Sequence, residues 1–244
     1  GFMNQVIECL KSRASVRAFS EEKIPRHIKE VVLNMAMAAP TAGNQQLYTI
    51  IEVNDQEKKD ILAESCDHQP FIAQAPWVLL FCADQLKWYE AYKLANLCPR
   101  EPGPGDFLLA VEDTMIAAQN AVIAAQSLGI GSCYIGDILE HKEVHQKMFN
   151  LPQIVVPVSL IVFGYPKSKA EAPKNRFPLN CVVYEDSYRS LSRKEWENMT
   201  EFRRRGRDFD SWMKAFFERK YQSDFSEEMN RSVSEYLKGF MDKR

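Results

Sequence analysis

Apolar residues recur along this chain with two periods, and these periods separate predicted helices from predicted strands. Spacings of three and four residues predict helices over 26–38, 55–64, 85–97, 107–128 and 139–149. Short apolar runs predict strands over 47–53, 77–83, 129–137 and 155–163. Pro157 inside the last run predicts a bulge or an unpaired strand end, because proline has no N–H for a strand ladder.

Two segments carry more apolar residues than a helix with one buried face needs. The helix predicted over 107–128 is apolar on nearly all sides, which places it at the centre of the fold or in a subunit interface. From residue 192 the chain is amphipathic and rich in large aromatic side chains, which predicts packing against the body or against a partner subunit. We therefore predict a main domain over 3–190 and a helical extension over 191–244.

Composition and charge exclude few function classes. The 244 residues are 45% apolar and 26% charged, as in ordinary globular proteins. The net charge of -2 gives no electrostatic case for a nucleic-acid or membrane partner. No apolar run approaches the ~20 residues that span a bilayer, and we expect no secretory signal. Six scattered cysteines fit reduced thiols in a cytoplasm, and four scattered histidines give no metal site.

The segment Ser12–Phe19 holds two arginines four residues apart, Arg13 and Arg17, with Ser15 between them. A guanidinium offers a planar fork of donors that matches phosphate oxygens, and a serine hydroxyl adds a neutral donor or acceptor. This cluster predicts a phosphate and the polar edge of a flat ring as ligands. Two solvated arginines at a helix end remain the alternative.

Three further segments have two interpretations each. The uncharged loop from Pro40 to Gln46 presents neutral amides that suit the edge of a heterocycle, or it is a connecting loop. The glycines of 129–136 let a ligand approach the backbone, or they stop a helix and tighten a strand turn. Positive residues within 167–176 complete a phosphate clamp with Arg13 and Arg17, or they are a solvated loop.

Taken in order, these segments resemble the flavin-dependent nitroreductase family. The matching stretches are Arg13–Phe19, Ala39–Gln46, Gly129–Gly136 and Gly164-Tyr165-Pro166 with the basic residues that follow. The resemblance implies an α+β fold with an antiparallel-centred sheet flanked by helices, working as a homodimer with FMN at the dimer interface. It also implies that 3–190 is the FMN-binding domain.

The resemblance implies a role for each site residue. Arg13 and Ser15 would contact the phosphate and ribityl end, while Arg17 would reach the pyrimidine edge and stabilise reduced flavin electrostatically. Ile135 and Gly136 would present their backbone near N5, and part of the 40–46 loop would come from the other subunit. No residue is expected to act as a catalytic acid or nucleophile, because FMN carries the chemistry. The complete predicted FMN-binding set is Arg13, Ala14, Ser15, Arg17, Pro40, Thr41, Ala42, Asn44, Gln46, Ile135, Gly136, Lys174 and Arg176.

The activity implied is ping-pong hydride transfer from NAD(P)H through FMN to nitroaromatics, quinones or similar acceptors. One departure from the family pattern is Leu47-Tyr48, where Pro-Trp is commoner, so the apolar wall there differs. A flavin-binding carrier or regulatory protein without turnover remains an alternative, as does a specialised flavin enzyme of the same fold. The Pro99–Gly105 segment, rich in proline and glycine, is an exposed loop and a candidate lid.

Overall fold

The structure is a computed structural model that describes residues 3–169 and 175–241. Among these, residues 3–169 and 228–241 form one compact unit, and residues 175–227 form a second. The predicted division into 3–190 and 191–244 stays a prediction, because compactness alone does not show where an independently folding domain ends.

Over the described residues the chain forms ten α-helices and four β-strands. The helices are α1 Gln5–Ser12, α2 Arg26–Met37, α3 Gln56–Ser65, α4 Phe71–Gln74, α5 Leu86–Leu94, α6 Pro104–Ser127, α7 Lys142–Met148, α8 Arg193–Arg204, α9 Phe209–Lys220 and α10 Asp224–Leu237. The strands are β1 Tyr48–Glu52, β2 Trp77–Asp84, β3 Gly131–Ile135 and β4 Val155–Gly164. Each predicted helix and strand is present, and the structure adds the short helix α4 between α3 and β2.

The four strands form one antiparallel sheet in the order β1-β2-β4-β3. The central strands β2 and β4 are buried nearly throughout, as their continuous apolar runs predict. Phe81 lies opposite Ser159 and Cys82 opposite Pro157, so Val158 has no residue opposite it. The bulge predicted from Pro157 is therefore confirmed.

Helices cover both faces of the sheet, because alternate residues of β2 point to opposite sides. Leu79 and Phe81 pack with α2 and α6 on one face. Leu80 and Cys82 pack with α3 and α4 on the other face. This arrangement confirms the expected antiparallel-centred α+β fold and leaves only β1 and β3 at the sheet edges.

The long helix α6 is central, but it is not buried all round. Its alanines, such as Ala117 and Ala121, are fully buried against the sheet and α2. On other sides Leu108 is 57% exposed and Ile116 is 42% exposed. By length and composition alone α6 could cross a membrane, whereas in this fold it contacts all four strands and is the core helix.

The described end of the chain is part of the first unit. Tyr236 and Phe240 are both 1% exposed, and the Phe240 ring lies 5.0 Å from the Phe107 ring. Burial of these two aromatic rings holds the residues from 228 onward in the first unit.

The second unit pairs α8 with α9. A capping box starts α8, because Ser192 Oγ accepts from Glu195 N and Glu195 Oε1 accepts from Ser192 N. Trp212 stacks on Phe216, and the Arg203 guanidinium lies over both rings.

Candidate functional site

The arginine segment adds a short strand to the β3 edge of the sheet. Helix α1 ends at Ser12, and Arg13 already has extended backbone angles. Ser15 forms a parallel bridge with Ser132, and Val16 N donates to Ser132 O at 2.9 Å. Arg13 therefore caps the end of α1, and the exposed Arg17 lies on an extended segment held on β3. The choice between ligand-binding and solvated arginines stays open.

Gly131 and Gly164 leave room for the side chains of this segment, so Gly131 has a packing role and not a ligand-binding one. A Cβ on Gly131 would lie 2.6 Å from Val16 Cγ2, so the residue must be glycine for Val16 to pack. A Cβ on Gly164 would lie 2.6 Å from Phe19 Cδ1. Gly129, with φ +78°, ends α6 as a helix stop.

The side chains of Arg13, Ser15 and Arg17 lie close enough to Cys133 in β3 to act on its thiol. Burial raises the pKa of the Cys133 thiol, while the charges of Arg17 and Arg13 and a hydrogen bond with Ser15 act in the opposite direction. Neither arginine forms an ion pair with any residue in the described part of the chain. The β3 edge thus carries positive charge that no carboxylate of the described residues neutralises.

The end of β3 provides open space beside this charge. Ile135 is 2% exposed, so only its backbone can face a ligand. Gly136 is exposed, and a Cβ placed on it would meet no atom within 4 Å. Asp137 follows, and its Oδ2 accepts from Gln69 Nε2 at 3.0 Å. Sequence reasoning left Gln69 and Asp137 out of the site, because only tertiary packing brings the α3–α4 connection to the end of β3.

The polar loop from Pro40 to Gln46 lies at the opposite edge of the sheet, just before β1. The buried carboxylate of Asp113 in α6 holds it: Thr41 Oγ1 donates to Oδ2, and Ala42 N donates to Oδ1 at 3.2 Å. Leu47 N also donates to Oδ2 at 3.2 Å. Sequence reasoning missed Asp113, although an acidic residue within an apolar helix is a signal for a buried anchor.

The loop's backbone is unusual, because Gly43, Asn44 and Gln46 all have positive φ angles between 54° and 58°. Asparagine and glycine tolerate this conformation better than other residues do. The Thr41 hydroxyl also accepts from Gln46 N at 2.9 Å, so it is occupied within the loop. The exposed Asn44 and Gln46 lie at the loop's surface.

A cavity of about 420 Å³ lies beside this loop, between α5 and the Pro99–Gly105 segment. Arg100 forms two hydrogen bonds with Asp106, at 2.6 and 3.0 Å, and Gly103 N donates to Asp106 Oδ2 at 2.8 Å. These bonds tie the segment to the first turn of α6. A role for it as a lid stays a prediction.

Within one chain, the predicted site residues fall into two groups that lie at opposite edges of the sheet. Arg13, Ala14, Ser15, Arg17, Ile135 and Gly136 share the β3 edge, whereas Pro40, Thr41, Ala42, Asn44 and Gln46 lie at the β1 edge. Lys174 lies outside the described residues. Arg176 is exposed and belongs to the second compact unit, so its part in a phosphate clamp stays a prediction. Over the described ranges, His, Cys, Asp and Glu form no group of three that could hold a metal.

Comparison with known proteins gives a consistent result. The profile of the nitroreductase family matches residues 10–165. An FMN reductase [NAD(P)H] of Bacillus subtilis is 30% identical, over 94% of this chain and 97% of its own. An oxygen-insensitive NADPH nitroreductase of Salmonella typhimurium is 31% identical, over 79% of this chain and 78% of its own. The solved structure of B. megaterium NfrA2 superposes with a TM-score of 0.86 at 28% identity, covering 99% of this chain and 100% of that one. The chain belongs to the nitroreductase family.

Proposed function

We propose that this protein is an FMN-dependent NAD(P)H oxidoreductase that reduces nitroaromatics, quinones or similar acceptors. One observation carries the proposal: the segment with Arg13, Ser15 and Arg17 pairs with the β3 edge, and β3 ends at a glycine that leaves room for a ligand. Membership of the nitroreductase family supports it, as do relatives named FMN reductase [NAD(P)H] and NADPH nitroreductase.

The residues present at the β3 edge fit FMN. The cofactor carries an anionic phosphate and a flat ring with a polar edge, which require unpaired cations, neutral donors and close backbone approach. Arg13 and Ser15 would hold the phosphate and ribityl end, and Arg17 the pyrimidine edge. Gly136 would allow the ring to approach the backbone, because no side chain occupies that space. Bound FMN would supply a group that accepts hydride from NAD(P)H and passes electrons to the acceptor.

The chain's own contribution is positioning and electrostatics. Because the raised pKa of Cys133 keeps its thiol protonated at neutral pH, the thiol does not neutralise the adjacent guanidinium groups. Arg17 therefore retains its charge for the pyrimidine edge, where negative charge accumulates when the ring is reduced. A fixed cation at that position lowers the free energy of the reduced state without reorganisation.

A complete site requires a second copy of the chain. β1 and β3 are separated by two strands, so the loop edge and the arginine edge lie ~14 Å apart at a strand spacing of ~4.8 Å. Apolar residues exposed on the first unit support association, among them Leu10 of α1, Met35 of α2 and Leu108 of α6. In the proposed homodimer, Asn44 and Gln46 of one subunit would border the flavin held by Arg17 of the other.

Mixed dimers test this sharing of sites. Arg17→Ala and Asn44→Ala should each weaken FMN binding at both sites of their own homodimers. A heterodimer of the two variants, purified through two different tags, should regain one intact site and about half of the FMN occupancy. If each site lay within one chain, the heterodimer would bind no better than either parent.

We further propose that the protein is cytoplasmic and has no nucleic-acid or membrane partner. The six cysteines are all free, which suits a compartment that keeps thiols reduced. Fractionation of the host cell, followed by detection of the chain in each fraction, tests this location.

A visible absorption spectrum of the purified protein tests the proposed activity. Flavin bands should be present, or appear on adding FMN, and should bleach under anaerobic NADH or NADPH. A nitroaromatic or quinone should then restore the bands. Bands that persist with both nucleotides would indicate a flavin carrier instead, and a protein that binds no FMN would refute the site.

A further inference from the structure

A buried glutamate closes the turn that follows Gly136. Residues Gly136–Leu139 form a 3-10 turn, and Glu140 N donates to Asp137 O at 3.0 Å at its end. Glu140 is 5% exposed, and its Oε2 is buried without a hydrogen-bond partner among the described residues. A buried carboxylate oxygen without a hydrogen-bond partner destabilises the fold. Protonation of the carboxyl group removes this cost, because the resulting O–H can donate a hydrogen bond.

The surroundings of Glu140 favour such a proton. The Asp137 carboxyl lies within hydrogen-bonding reach, and Asp67 and Glu228 add further negative charge. Burial, with these three carboxylates, raises the pKa of Glu140 to about 7. Two adjacent carboxyl groups with like charge cannot both ionise easily, so they share one proton. A protonated Glu140 donates to Asp137 and thereby satisfies its own oxygen.

Two cations on the packed helices, Lys142 and Arg231, are engaged with other groups. On α7, the Lys142 ammonium bonds Gln146 Oε1 at 2.9 Å and lies over the Tyr236 ring. On α10, Arg231 binds Glu228 and Glu143.

Two further titratable groups near Glu140, Cys66 and His145, are uncharged at neutral pH. Cys66, at the end of α3, has its pKa raised to about 12 by burial. His145 on α7 has its pKa lowered to about 4 by burial, and its ring contacts the Glu140 backbone.

The pair is connected to the candidate site at two points. Asp137 directly follows Gly136, whose open space would admit the flavin ring. Asp137 Oδ2 accepts from Gln69 Nε2, which also donates to Cys66 O at 2.6 Å. With both amide hydrogens engaged, Gln69 keeps its carbonyl oxygen free for a ligand N–H.

We propose that Glu140 is a positioning residue that, by sharing a proton with Asp137, holds Gly136 and Gln69 in the arrangement that binds FMN. The proposal rests on the proposed FMN site and adds regulation to it. When Glu140 loses its proton to solvent, the two carboxylates repel each other, the Gly136–Leu139 turn opens, and FMN affinity falls. The protein therefore holds its cofactor more tightly below neutral pH than above it.

FMN binding to the apoprotein, measured by quenching of flavin fluorescence from pH 6 to pH 8.5, tests this role. If only the protonated form binds, the Kd of the wild-type protein should rise about tenfold from pH 6 to pH 8. Glu140→Gln keeps a donor without a titrating proton, so its Kd should stay nearly constant over that range. The control is Glu57→Gln, which changes an exposed glutamate of α3 and should keep the wild-type pH dependence. Because the FMN phosphate titrates equally with every variant, comparison with this control removes the phosphate's contribution to the pH dependence.

The melting temperature of the apoprotein supplies a second readout. Glu140→Gln should melt higher than wild type at pH 8.5, and the difference should shrink towards pH 6. Glu140→Ala should bind FMN weakly at every pH, because it lacks the donor. Equal pH dependence of Kd in wild type and Glu140→Gln would overturn this proposal alone. No FMN binding by any variant at any pH would instead refute the proposed function.

Discussion

Replacing Asp113 by alanine should release the 40–46 loop and destabilise the protein. The carboxylate is 4% exposed and accepts hydrogen bonds from Thr41 Oγ1, Ala42 N and Leu47 N. The last donor belongs to a residue that is only 2% exposed, so water cannot replace the lost acceptor. Each orphaned donor costs about 1–3 kcal/mol, and the two backbone bonds are long, so we expect a loss of about 3–5 kcal/mol in the free energy of unfolding.

The Asp113→Ala substitution should also weaken FMN binding. Without Asp113, the positive φ angles of Gly43, Asn44 and Gln46 lose the anchor that stabilises them, so the loop would sample other conformations. FMN affinity should therefore fall even at temperatures where the protein remains folded.

Urea unfolding at one fixed protein concentration measures the first effect, because the stability of a dimer depends on concentration. Flavin fluorescence quenching measures the second effect. The matched control is Glu112→Ala, which removes an exposed carboxylate one position earlier on the same helix and should change stability by less than about 0.5 kcal/mol. An Asp113→Ala protein as stable as this control would refute the assignment of Asp113 as the loop's anchor.

Three further substitutions test the packing and the buried titratable groups. Gly131→Ala should cost about 1–3 kcal/mol, because its Cβ would overlap the Val16 side chain; equal urea midpoints would contradict this. Phe240→Ala should lose about 3–5 kcal/mol, since the ring is 1% exposed, whereas Phe202→Ala at 64% exposure should change little. Burial lowers the pKa of His145 to about 4 from 6.5. As the pH falls, the His145 side chain therefore gains its proton in the unfolded state before it does so in the folded state. The free energy of unfolding should fall by up to about 3 kcal/mol between pH 6.5 and pH 4. In His145→Gln that contribution to the pH dependence of urea unfolding should be absent.

The hydrophobic pattern determined most of the secondary structure. Period-two and period-3.6 spacings depend on neighbouring residues alone, so the continuous runs of β2 and β4 and the bulge at Pro157 were predictable. The order of motifs was sufficient to indicate the family, since Arg13–Phe19 and Ala39–Gln46 resemble its flavin-binding segments without knowledge of their positions in space.

Only the tertiary structure decided which of these motifs meet. Strand order places the arginine segment and the polar loop at opposite sheet edges, and no local spacing encodes strand order. Packing likewise gives two glycines of the same segment different roles. Gly131 lies against the Val16 side chain, whereas the space beside Gly136 is open. The anchor Asp113 and the buried Glu140 acquire their partners from distant segments. Their roles depend on burial and on contacts between residues far apart in the chain, which a one-dimensional pattern does not contain.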